Sequence, residues 1–176
     1  SGAWGDGLYR YDSSLNPIPL GIDGIDEKAV NGAWCMCRLK DNRTIWMVGQ
    51  PAFIFVYDEV TRSIKKYYPP IFENRTIRQV AEDRLGNMWL GTQSRGVFKW
   101  VASKAKDKFE DGFIKIKDIP NTLVEKISVD SKGFLWISTA TFGVYKIDPV
   151  KDSIIEHLTA KGPPSKRLLT NDAAEA

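Results

Sequence analysis

Asp83-Arg84-Leu85-Gly86-Asn87-Met88-Trp89-Leu90-Gly91-Thr92, closed a few residues later by Gly96-Val97-Phe98-Lys99, is the stretch that decides the fold. Its pattern returns as Asp130-Ser131-Lys132-Gly133-Phe134-Leu135-Trp136-Ile137-Ser138-Thr139, closed by Gly143-Val144-Tyr145-Lys146. In both, Asp precedes Trp by six residues, a turn Gly precedes it by three and a second Gly follows it by seven. A looser copy centres on Trp46 and ends Phe53-Ile54-Phe55-Val56-Tyr57-Asp58, with Lys40 in place of the Asp, Arg43 in place of the turn Gly and Phe53 in place of the closing Gly. The three tryptophans stand 43 and 47 residues apart. Gly7-Leu8-Tyr9-Arg10-Tyr11-Asp12 matches the closing half of a fourth copy.

A period in the forties with one Trp per unit marks a repeat architecture, and strand content selects which. Each unit reads as four short strands. The first covers 77–82 or 124–129, and the second carries the Trp and ends in Gly-Thr or Ser-Thr. The third is the Gly-Val-aromatic-Lys run, and the fourth covers 63–68, 113–117 or 153–158. The turn glycines fall where a positive φ is easy. No ten-residue stretch has helical periodicity with caps. Four antiparallel strands in about 45 residues is a β-propeller blade. The expectation is an all-β chain of about three and a half such blades: a partial blade over 1–26, blades over 27–70, 71–118 and 119–160, and the start of another over 161–176. Residues 103–112, a charged insertion between third and fourth strands, are expected to be a solvated loop.

Composition excludes several classes. The 176 residues are 43% hydrophobic and 27% charged, which argues against disorder. No apolar run approaches the roughly 18 residues of a spanning helix, and no signal peptide opens the chain, so no membrane contact is expected of this segment. The net charge of +3 is too balanced for an electrostatic nucleic-acid binder. A single histidine, His157, rules out histidine-cluster metal sites, and no cofactor is expected. In Cys35-Met36-Cys37, strand alternation puts both thiols on one face, too close for an unstrained disulfide. They read as two small buried side chains, and aligning Cys37 with Val80 and Ile127 places it in the core. The sequons at Asn42 and Asn74 read as chance, and Lys65-Lys66-Tyr67-Tyr68 as an ordinary surface edge.

The run ending at Thr92 resembles the two-component regulator propeller repeat, and the likeness extends over three units and a partial one. That resemblance implies a seven-bladed ring, an extracytoplasmic and periplasmic sensor domain of a hybrid histidine kinase, an oligosaccharide ligand and signalling as a dimer. It makes this segment a non-catalytic ligand sensor in polysaccharide utilisation. At roughly 45 residues per blade, seven blades need about 315 residues, so part of one ring is expected.

Trp46, Trp89 and Trp136 recur at matched positions and are expected to pack between blades. Asp83 and Asp130 stand beside turn glycines and are expected to accept backbone N–H groups as structural residues. Function belongs where the repeats differ. In a propeller the loops between second and third strands and those between blades emerge on one face. Here these are residues 3–6, 50–52, 93–95 and 140–142, with 30–32, 74–76 and 121–123. They offer Trp4, Asp6, Arg75, Gln93, Arg95, Asn121 and Phe142 as a ligand-binding set: aromatic platforms beside amide and guanidinium donors suit a neutral or acidic sugar.

Two other classes compete. Streptogramin-type lyases are propellers that use a histidine base with a metal, but His157 falls in a predicted outer strand, remote from a central channel. A protein-interaction scaffold is the third possibility. Finally, a partial ring leaves strand edges, and the stretches at 7–12, 16–20 and 168–176 are expected to be completed by a homodimer or by the rest of a longer propeller.

Overall fold

The computed structural model describes residues 2–3, 7–19 and 32–160. The chain divides into two compact units, residues 1–77 and 78–176. Three four-stranded antiparallel sheets and two two-stranded ones make up the strand structure of the described residues. Beyond strands, these residues show only short 3-10 turns at Pro70–Phe72, Ala102–Lys104 and Phe109–Gly112. The expected stretches at 20–26 and 161–176 lie outside the described residues.

In the first unit β1 (Gly2–Ala3) pairs with β2 (Gly7–Leu8), and β3 (Arg10–Tyr11) with β4 (Pro17–Ile18). The run over 7–12 is thus two short strands instead of one. Asp12 closes the turn after β3, its Oδ1 accepting the N–H groups of Ser14 at 2.8 Å and Asn16 at 2.9 Å. The unit's full sheet runs in order through β5 (Ala33–Arg38), β6 (Thr44–Gly49), β7 (Ile54–Asp58) and β8 (Ser63–Tyr67). Met47, Phe53 and Phe55 form its core, the two Phe rings stacked at 4.4 Å.

Two expectations about this blade are corrected. The positive φ of the β5–β6 turn falls on Asn42 (φ 55°), not on Arg43. Leu39 N–H reaches the Thr44 carbonyl, five residues on, whereas Asp83 and Asp130 reach only four, to Asn87 and Phe134. One extra residue therefore sits in the turn. Asp41 takes over the carboxylate's role, accepting the N–H groups of Arg43 and Thr44 at 2.8 Å each. The same extra residue moves Cys37, which pairs opposite Trp46 as Ser128 pairs opposite Trp136. Cys37 is thus not the counterpart of Ile127. Both cysteines share one face of β5, as alternation requires, but they are half-buried and not core. The two sequon asparagines have a local explanation: Asn42 and Asn74 (φ 57°) occupy turn positions that Asn tolerates.

The second unit holds one sheet of β9 (Ile77–Glu82), β10 (Met88–Thr92), β11 (Val97–Trp100) and β12 (Phe113–Lys115), and a second of β13 (Val124–Val129), β14 (Leu135–Thr139), β15 (Gly143–Asp148) and β16 (Ser153–Leu158). Trp89, Val97 and Ile119 bury themselves against Val124, Ile127, Leu135, Ile137, Tyr145 and Ile147 in one cluster. Trp89 therefore packs between blades. Its indole N–H is held by Asp83 Oδ2 at 2.9 Å, and that of Trp136 by Asp130 Oδ2 at 3.0 Å. The opposite carboxylate oxygen takes turn amides: Leu85 and Asn87 in one copy, Lys132 and Phe134 in the other. This explains the six-residue spacing: one carboxylate closes the turn and anchors the tryptophan that follows it.

Close approach fixes two further residues of the β9–β12 sheet. A Cβ on Gly91 would lie 2.5 Å from Val124 Cγ1. Lys99 is buried over the Trp89 ring, with Nζ 2.5 Å from Asp152 Oδ1 and 3.3 Å from the Pro149 carbonyl, tying one sheet to the β15–β16 turn of the next. The insertion is more than a solvated loop. Its charged residues are exposed, but Trp100 Nε1 donates to the Phe109 carbonyl at 2.8 Å, and the Phe109 ring packs tilted against Trp100 and edge-on to Phe113.

Candidate functional site

Three loops of the second unit form one connected edge. The repeat's Thr builds two of them identically. Thr92 Oγ1 donates to the Gly96 carbonyl and accepts the Arg95 N–H, both at 2.8 Å. Thr139 Oγ1 donates to the Gly143 carbonyl at 2.9 Å and accepts the Phe142 N–H at 3.0 Å. Gly96 (φ 69°) and Gly143 (φ 74°) turn the chain back into β11 and β15. A side chain is thereby presented just before each glycine: Arg95 in one loop, Phe142 in the other.

The connection between β12 and β13 sits between them. Lys115 Nζ donates both to the Arg95 carbonyl and to Asn121 Oδ1. Gly96 N–H donates to the Thr122 carbonyl at 3.3 Å, and Ala140 N–H to the Leu123 carbonyl at 3.0 Å. The hydroxyls of Thr122 and Thr141 meet at 3.1 Å. Residues 93–95, 121–123 and 140–142 are thus held to one another by main-chain and side-chain bonds. The edge displays exposed Gln93 and Asn121, half-buried Arg95, and Phe142 with 38% of its surface open.

Of the seven residues expected to bind ligand, the structure brings Gln93, Arg95, Asn121 and Phe142 onto this edge. Arg75 is exposed on the 74–76 connection of the other unit, where its N–H donates to the Phe72 carbonyl at 2.9 Å. Trp4 and Asp6 lie outside the described residues. Sequence reasoning missed Lys115, Thr122 and Thr141, and weighed His157 only as a catalytic base. His157 stands on the outermost strand β16, as expected, yet its Nε2 is 2.6 Å from the Phe142 carbonyl. Among the described residues no three His, Cys, Asp or Glu side chains gather as metal ligands, and no helix is long and apolar enough to cross a membrane. What the edge can do chemically is bind: it offers hydroxyls, an amide, a guanidinium and an aromatic face.

Comparison with known proteins bears on this arrangement. No curated protein matches the sequence. Residues 71–94 match the family model described as "Two component regulator propeller". Among solved structures, the chain is similar to the extracellular domain of BT3049 from B. thetaiotaomicron, described as a hybrid two-component system, at 17% identity and TM-score 0.71 over 99% of this chain and 21% of that one. It is also similar to the extracellular domain of BT4673 from the same organism, described as a one-component system, at 20% identity and TM-score 0.68 over 98% and 22%. PorZ, described as a surface component of the type-IX secretion system of Porphyromonas gingivalis, matches at 16% identity and TM-score 0.61 over 98% and 26%. The chain spans only about a fifth to a quarter of the length of these structures. The fold is therefore that of a partial β-propeller, as its repeats imply. The repeat over 71–94, which enters the β9–β12 sheet, matches the two-component regulator kind.

Proposed function

We propose that this chain is a non-catalytic, ligand-sensing propeller segment of an extracytoplasmic receptor of the two-component type, taking an oligosaccharide on the loop edge of residues 93–95, 121–123 and 140–142. The observation that carries the reading is the bonding of three loops into one edge that leaves Phe142 exposed on the same edge that carries Arg95 and Asn121. Phe142 supplies a face for the apolar side of a sugar ring. Arg95, Asn121 and Gln93 supply donors for its hydroxyl or acidic groups. Support for the receptor class comes from the repeat over 71–94 and from the fold likeness to extracellular domains of two-component systems. In this reading the periplasm is the compartment, and polysaccharide utilisation the response.

Calorimetry with a panel of neutral and acidic oligosaccharides on the intact receptor ectodomain tests it. Phe142→Ala and Arg95→Ala should each weaken binding of whichever glycan the unaltered protein retains by about tenfold or more. Failure of every oligosaccharide to bind, with signalling answering another stimulus, removes the sugar assignment.

A further inference from the structure

All three full sheets share a cross-strand pair that sequence spacing conceals. Phe55 faces Lys66 across β7–β8, Phe98 faces Lys115 across β11–β12, and Tyr145 faces His157 across β15–β16. In each the basic group lies on the aromatic ring. Lys66 Nζ is 5.8 Å from the Phe55 centroid and Lys115 Nζ is 5.0 Å from that of Phe98. The His157 ring stacks on Tyr145 at 4.0 Å and 12°. In the second unit the polar head continues past the ring to a loop carbonyl. Lys115 donates to Arg95 O, and His157 Nε2 reaches Phe142 O. Because Arg95 and Phe142 each precede the positive-φ glycine of their loop, the two carbonyls are equivalent. A carbonyl only accepts, so Nε2 of His157 carries the hydrogen.

We propose that Lys115 and His157 are positioning residues for the ligand edge. Each is a latch seated on an aromatic ring that fixes the peptide before the turn glycine, and with it the direction in which Arg95 or Phe142 is presented. The inference rests on the loop-edge reading above for its functional meaning, but the latch itself needs no ligand. Its physical ground is the freedom of the next residue. A glycine lets the preceding peptide plane turn over at little steric cost, so an acceptor bond at that carbonyl selects one orientation. Lys115 holds two loops, since it also donates to Asn121. His157 contributes a single bond to the 140–142 loop.

Hydrogen–deuterium exchange read by mass spectrometry on the intact, ligand-free protein tests the latch. His157→Leu removes the donor and keeps an apolar body over Tyr145. It should speed exchange in peptides covering 140–144 by about tenfold while leaving those of β9–β12 unchanged. His157→Lys should restore the slow exchange, because lysine fills the same seat in the other two sheets. Lys115→Met should act in the same way on 94–97 and 121–123, and Lys115→Arg should restore it. This second pair decides the matter if His157→Leu does not fold. Loop exchange at the unaltered rate in His157→Leu or Lys115→Met, or no recovery in the basic replacements, overturns the proposal. A protein whose latches behave as stated but which binds no oligosaccharide would remove the sugar reading alone.

Discussion

Replacing Asp83 by Ala should be among the most damaging single changes in the second unit, and its cost can be built from the bonds it removes. Asp83 and Trp89 are both fully buried. Oδ2 accepts the Trp89 indole N–H at 2.9 Å and Asn87 Nδ2 at 3.0 Å, while Oδ1 accepts the N–H groups of Leu85 at 2.8 Å and Asn87 at 2.9 Å. An indole N–H stranded in the core costs about 1–3 kcal/mol, and each turn amide, which water can reach in part, about 0.5–1.5 kcal/mol. The expected loss for Asp83→Ala is therefore about 2–6 kcal/mol. Asp83→Asn keeps one oxygen for the turn amides but sets an NH2 group against the indole, so about 2 kcal/mol is expected. Asp130 makes the equivalent bonds, but it and Trp136 are both half-exposed, so Asp130→Ala should cost clearly less. Urea unfolding followed by far-UV circular dichroism measures all three. An Asp83→Ala loss below about 1 kcal/mol, or an Asp130→Ala loss as large as that of Asp83→Ala, would refute the reasoning that burial of the bonded indole sets the cost.

Three further outcomes follow from neighbouring contacts. Gly91→Ala drives a methyl to 2.5 Å from Val124 Cγ1 and should destabilise by about 1–3 kcal/mol, with Val124→Ala in the same chain recovering part of the loss in a double-mutant cycle. Lys99 has 6% of its side chain exposed and Asp152 has 54%, so removing the acid strands a buried ammonium while removing the base strands only a solvated carboxylate. Asp152→Ala should therefore lower the melting temperature more than Lys99→Met, and the reverse order would contradict the account. Acid should weaken the fold through its turn carboxylates. Bonds from Asn16 to Asp12, from Thr44 to Asp41, from Arg43 to Asp58 and from the Trp136 indole to Asp130 hold these groups below the ordinary carboxylate range. Their folded values are depressed, so their contribution is complete above the unfolded value of about 4 and is lost as pH falls through each folded value. Denaturant midpoints should be flat from pH 7 to about 5 and decline below about 4.

The fold was largely legible because its punctuation is written in residues with narrow uses. Asp, turn Gly and Trp at fixed offsets can be satisfied together only when one carboxylate spans a tight turn and the strand beyond it. Strands β9, β13 and β16 have the bounds that alternation and turn residues imply. Legibility failed where a one-residue insertion left the composition unchanged. At 39–44 spacing alone puts Arg43 at the turn-glycine position, and only Asn42's tolerance of a positive φ argues otherwise; the hydrogen bonds show the extra residue, and Cys37 was misplaced with it. The site was legible as a set of loops but not as a bonded edge. Phe98 and Lys115 are 17 residues apart, against 11 for Phe55 and Lys66 and 12 for Tyr145 and His157, so the insertion at 103–112 hides the shared rung. A lysine and a histidine doing the same job also give a sequence pattern nothing to match.

The missing methyl at Gly91 has a consequence for how such a chain can be rearranged. Ser138 occupies the corresponding place in β14, with a Cβ where Gly91 has none. Moved into the place of β10, that strand would press its Cβ into the space Val124 already fills. The β9–β12 blade is therefore matched to its successor and is not exchangeable with it. A duplication or shuffling event that changed their order would need a compensating change across the seam. The stability of these two sheets is in that sense a property of an ordered pair, the nearest-neighbour term of a one-dimensional array.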